Sequence, residues 1–132
     1  MMTQLEAIVD RVVVEGYGDW VDLCGITIQV SQGLGLPDKA PDALEEEVLK
    51  NTLEVLDYVL SNGLMVVGEF GRTMADFVPW GFTVPEALTR IEKEWREQGR
   101  DPQLWEICWF ENTAAGNERA LRSGFIKVIR RR

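Results

Sequence analysis

Histidine is absent from this 132-residue chain. That absence excludes Ser-His-Asp and Cys-His catalysis, histidine general-base chemistry near neutral pH, and the commonest zinc sites. It leaves open enzymes that work through carboxylates, Lys or Tyr. Cysteine is scarce: Cys24 and Cys108 stand far apart, and neither belongs to a Cys-x-x-Cys pair. Two buried thiols are expected, with a single disulfide as the alternative, and no metal or cofactor site. Long apolar runs are also missing. The longest uncharged stretch, residues 23–37, contains Thr, Gln, Ser, Gly25, Gly33 and Gly35 and is too polar to span a bilayer. The first residues, MMTQLEAIVDRVVVEG, hold no basic leader followed by an apolar run, so no signal peptide and a cytoplasmic location are expected.

Positive charge is scarce in the first half. Residues 1–62 hold 12 acids and 3 bases, a net −9; residues 63–132 hold 10 acids and 11 bases, a net +1. A half this acidic repels nucleic acid and anionic membranes and attracts basic partners. Such a charge also serves solubility. The rest of the composition, 45% hydrophobic and 27% charged, is that of an ordinary globular protein. A single domain over residues 1–132 is expected.

Leu5, Ile8, Val9, Val12 and Val13 follow helical spacing, and Thr3 with Glu6 fits a capping box at the start of that helix. Gly16 and Gly18 end it. Residues 20–32 are ambiguous, because Ile26 to Val30 alternate as in a strand. A helix capped by Asp19 and stopped by Gly33 and Gly35 is expected. Asp42 and Glu45 repeat the capping spacing before a helix from Ala43 to Asn62, which Gly63 stops. Residues 64–70 and 75–82 read as two strands of a hairpin. Thr83, Pro85 and Glu86 open a helix that Gly99 closes. WEICWF, residues 105–110, reads as a strand with Trp105, Ile107 and Trp109 on one face and Glu106, Cys108 and Phe110 on the other. Its tryptophans are expected to pack rather than line a ligand cage. A last helix, Ala114 to Ser123, carries Ala120, Leu121 and Phe125 inward, and the basic KVIRRR tail is expected to fray. The fold class is therefore α+β: three helices, then an antiparallel sheet of about three strands with two further helices.

Two segments resemble parts of winged-helix domains. LDYVLSNGLMVVGEF resembles the last helix running into the first wing strand. WFENTAAGNERA resembles the closing strand-to-helix turn, with Thr113 and Gly116 in a Thr-x-x-Gly pattern. The resemblance implies a winged-helix-like arrangement with residues 84–98 inserted between wing strands. The chain also resembles a set of short uncharacterised bacterial proteins with a Trp or Pro-Trp motif before the fourth helix, which implies no activity. The DNA-reading part of the winged-helix pattern is missing. A recognition helix displays Arg, Lys, Asn or Gln. Residues 43–62 instead offer Glu45, Glu46, Glu47, Glu54 and Asp57 against Lys50.

Glu45, Glu46 and Glu47 cannot converge on one cation, since consecutive helical residues point about 100° apart. Gly33-x-Gly35 lacks the rest of a nucleotide loop. Asp76, Glu106 and Glu111 could supply paired carboxylates for acid–base work. Tyr17, Trp20, Phe77, Trp80 and Phe82 flank turns, where they serve either an interface or a small core under the fourth helix. The expected function is a non-catalytic, acidic, intracellular binding module for a basic protein, as in an immunity or antitoxin protein. Glu45, Glu46, Glu47, Glu54, Trp20, Phe77 and Trp80 are its expected contacts. The alternative is a winged-helix regulator that binds DNA as a homodimer.

Overall fold

The computed structural model describes residues 2–37, 42–73 and 75–124. Phe125 and the basic tail, and with them two of the expectations above, lie outside the described residues. The element order is α1 (Gln4–Glu15), β1 (Val21–Asp22), α2 (Leu23–Leu34), α3 (Glu46–Ser61), β2 (Met65–Phe70), β3 (Phe77–Pro79), α4 (Val84–Gln98), β4 (Trp109–Asn112) and α5 (Ala114–Arg122). Among the described residues, five helices accompany one antiparallel sheet ordered β1-β4-β2-β3. The α+β class holds; the sheet has four strands rather than three.

Three helix starts form as local chemistry dictates. Thr3 and Thr83 make reciprocal capping boxes with Glu6 and Glu86, and Thr113 accepts the Gly116 amide. The other two starts differ from expectation. Asp22, not Asp19, caps α2, its Oδ1 accepting Gly25 N–H at 2.8 Å. Residues 21–22 are drawn into the sheet opposite Phe110 and Trp109, so the helix begins only at Leu23. The expected box at Asp42 and Glu45 does not form. Glu45 caps α3 without a side-chain bond and gives its own N–H to Asp101 Oδ1 at 3.2 Å. A distant carboxylate thus takes the donor that a local one was expected to satisfy, and α3 starts at Glu46 rather than Ala43.

The core lies between the helices and one face of the sheet. Val9, Val12 and Val13 from α1, Leu23, Ile26 and Val30 from α2, and Leu49, Val55, Leu56 and Val59 from α3 are buried against Met65 and Phe110. Ile91 and Trp95 anchor α4, with the Trp95 indole donating to Asp101 at 3.0 Å. Arg119 ties α5 to its neighbours, bonding Asp10 of α1 at 2.7 Å and the Tyr58 hydroxyl of α3 at 3.1 Å. Cys108 is buried and Cys24 half-buried, and neither is joined in a disulfide; burial pushes the Cys108 thiol well up. Among the described residues, no helix is long and apolar enough to cross a membrane.

Candidate functional site

Alternation along β4 sends Phe110 into the core and leaves Trp109 and Glu111 on the opposite face. The register sets Trp109 between Asp22 and Gly68, and Phe70 opposite Phe77. The Phe77 ring leans over Gly68, where a Cβ would come within 2.9 Å of it. Trp20, just before β1, completes the cluster. Its centroid is 5.0 Å from Phe70, edge-on, and 6.2 Å from Phe77, stacked, while Phe70 and Trp109 are 4.6 Å apart. These four half-buried rings cover the sheet face that points away from the core. Edge and stacked contacts of this kind add to what burial alone supplies.

Beside Trp20 the surface dips into a cleft of about 350 Å³ lined by Gly16, Gly18, Asp19, Trp20, Glu111, Asn112 and Asn117. Asp19 Oδ1 accepts the Trp20 backbone N–H at 2.8 Å, and Glu111 Oε2 accepts the indole N–H at 3.0 Å. Asn112 is fixed by donating to Val13 O at 2.9 Å and to Asn117 Oδ1 at 3.0 Å. Gly16 is required there, because a Cβ would fall 2.4 Å from Asn112 Oδ1.

The four glutamates singled out from the sequence lie along α3 and its start, all exposed. Glu46 is engaged: Arg96 of α4 grips it with two bonds, of 2.7 and 3.1 Å. That bond holds the Glu46 carboxyl below its ordinary range. Among the described residues, no ion pair involves Glu45, Glu47 or Glu54. Glu47, Lys50, Glu54 and Asp57 recur at three- and four-residue spacing and so form one exposed stripe.

Among the described residues, six of the seven cations after residue 62 sit in ion pairs, Arg72 being the exception. Arg90 pairs with Glu94, Lys93 with Glu97, Arg96 with Glu92 and Glu46, Arg100 with Glu106, Arg119 with Asp10, and Arg122 with Glu118. The structure therefore distributes the expected contact residues over three places. Trp20 and Phe77 share the sheet face, and the glutamates follow α3. Trp80 sits by α4, with Arg90 stacked 4.0 Å over its ring and its indole donating to Glu69 at 2.9 Å. Phe82 lies beside it, exposed.

The three acids considered for acid–base work are held by different neighbours. Asp76 closes the β2–β3 turn by bonding Thr73, Glu106 pairs with Arg100, and Glu111 holds Trp20. Among the described residues, no group of three or more His, Cys, Asp or Glu is placed to hold a metal ion.

Residues 103–107 correct the expected strand, which begins only at Trp109. Glu106 N–H bonds Gln103 O and Cys108 N–H bonds Glu106 O, making two successive tight turns. Trp105 and Ile107 consequently adopt φ of 68° and 72°, a region that side chains other than Gly seldom enter. Asp22 Oδ2 holds the Trp105 N–H at 2.7 Å, and Arg100 holds Glu106 through a two-bond pair. Trp105, expected to pack in the core or at a strand edge, is 68% exposed, and Leu104 71%. Sequence reading missed this pair. The apolar alternation was real, but the Arg100–Glu106 pair and the Asp22 bond to Trp105 N–H break it. Comparison with protein-family models, with curated proteins and with solved structures finds no match for the chain.

Proposed function

We propose that the chain is a non-catalytic, acidic binding module whose partner is a basic protein; an immunity or antitoxin role is its most concrete form. The observation that carries this reading is an asymmetry of pairing. Six of the seven cations in residues 63–124, all but Arg72, are each paired with a carboxylate of the same chain. Among the described residues, Glu45 at the start of α3 and Glu47 and Glu54 on it have no such partner, and all three are exposed. Unmatched surface carboxylates speed and orient the approach of a cationic surface more than they add contact energy. The exposed rings of Trp105 and Phe82 are apolar anchors of the kind that dominate interfaces.

A specific observation supports a second reading, a winged-helix DNA-binding regulator. With β3, α4 and α5 set aside, the order helix, strand, helix, helix, strand, strand, with β4 between β1 and β2, resembles a winged-helix arrangement. In that arrangement α3 would be the recognition helix. Its exposed stripe would present Glu47, Glu54 and Asp57 to phosphates with Lys50 as the one interspersed base. The scaffold and the surface thus point different ways, and the surface decides function.

The test is affinity capture from cells of the native host, comparing the natural chain with Glu45→Lys/Glu47→Lys/Glu54→Lys. Glu46 is left unchanged because it holds Arg96. The expected result is a basic protein recovered by the natural chain, released by salt and lost on charge reversal. Recovery of no basic protein, or recovery unaffected by the reversal, contradicts the reading.

A further inference from the structure

We infer that the cleft beside Trp20 is a receptor for one arginine side chain of the basic partner, a specific site in addition to the diffuse attraction of α3. The inference rests on the reading above for the nature of the partner, and on the cleft itself for the chemistry.

Two carboxylates from different elements meet there: Asp19 in the α1–β1 loop and Glu111 in β4. Each spends one oxygen on Trp20. Among the described residues, no hydrogen bond or ion pair engages Asp19 Oδ2 or Glu111 Oε1. Among the described residues, no Lys or Arg lines the cleft, so its two carboxylates have no cation of the described chain beside them there. Concave walls of low dielectric focus the field of such charges and favour a cation within.

The shape and donor set then select which cation. No cluster of three or more His, Cys, Asp or Glu among the described residues is placed for a metal ion. A volume of about 350 Å³ suits a side chain rather than an ion. A guanidinium has donors on several edges of one plane and can serve two separate carboxylates at once, which an ammonium does less well. The Trp20 indole in the wall favours a flat, weakly hydrated cation for the same reason. Gly16, where a Cβ would meet Asn112, and Gly18, at φ 79°, form part of the lining. The cleft is also pre-organised: both carboxylates are already oriented by Trp20, and Asn112 and Asn117 by their mutual bond. A ligand therefore has little ordering cost to overcome on entering.

The probe is N-acetyl-arginine amide, added to the full chain, with N-acetyl-lysine amide and the neutral N-acetyl-citrulline amide as comparisons. Nuclear magnetic resonance follows the Trp20 indole N–H, assigned through Trp20→Phe, and the Asn117 side-chain amide. A saturable shift of both with the arginine probe is expected, weaker with lysine and absent with citrulline. Glu111→Gln keeps an acceptor for the indole and should weaken arginine binding about tenfold, with the unfolding midpoint little changed. No saturable shift, an equal response to citrulline, or a response that Glu111→Gln leaves intact overturns the inference. Equal binding of lysine overturns the guanidinium assignment. The two readings fail separately. Loss of the α3-dependent partner with arginine binding intact removes the proposed function, and the converse removes the cleft.

Discussion

Glu106 shows how much one side chain can fix. Its carboxylate takes two bonds from Arg100, of 2.8 and 2.7 Å, and the Gln103 N–H at 2.8 Å. The Arg100 bonds are the main reason its pKa falls to about 2, below the ordinary carboxylate value of 4.5. A depressed carboxylate stabilises the fold above its unfolded pKa, and that contribution fades as pH falls through the folded value. Glu106→Gln should therefore cost about 1–2 kcal/mol near neutral pH, tempered by partial solvent exposure of the pair. The cost should shrink from pH 4.5 downward and be gone near pH 2. Urea unfolding of both chains across that range checks it; a constant difference contradicts the assignment. The same pair explains why residues 103–107 were illegible. Nothing in Trp-Glu-Ile announces a positive φ, and the turns are imposed by Arg100 and Asp22, the latter 83 residues away from Trp105 in sequence.

At the scale of elements, what was legible was what local chemistry settles. The boxes at Thr3 and Thr83, the Thr113 cap and the apolar stripes of α1, α3 and α4 were readable because donor and acceptor lie within one turn. The two-residue β1 and the late start of α3 were not, because each depends on a partner far along the chain: β4 for the first, Asp101 for the second. Gly116 separates the two kinds of knowledge. Helix propensity alone favours Ala over Gly inside α5 by about 1 kcal/mol. The packing says otherwise, since a Cβ at Gly116 would lie 2.1 Å from the Leu64 carbonyl, an atom of the backbone. Gly116→Ala is expected to destabilise by about 1–3 kcal/mol as α5 is pushed off the start of β2. Thermal unfolding measures this directly, and a stabilised variant would mean that α5 is free to shift.

For the whole molecule, charge asymmetry was visible in composition, but its meaning required the pairing pattern. The net +1 over residues 63–132 includes four bases of the tail, which lies outside the described residues; of the seven cations in residues 63–124, six sit in internal ion pairs. The candidate site was legible only as residue types. That Trp20 and Phe77 would share a sheet face, that Trp80 would turn to Arg90, and that Asp19 and Glu111 would meet across a cleft all depend on strand register. The most direct test of the central claim, that the free carboxylates of α3 govern what this protein binds, is fluorescence anisotropy at low salt. Two labelled probes, an Arg/Lys-rich peptide and a DNA duplex, are titrated with the natural chain and with Glu45→Lys/Glu47→Lys/Glu54→Lys. The account predicts that the natural chain binds the peptide and not the duplex, and that reversal abolishes peptide binding. Binding of the duplex by the natural chain, or peptide binding indifferent to the reversal, would contradict it.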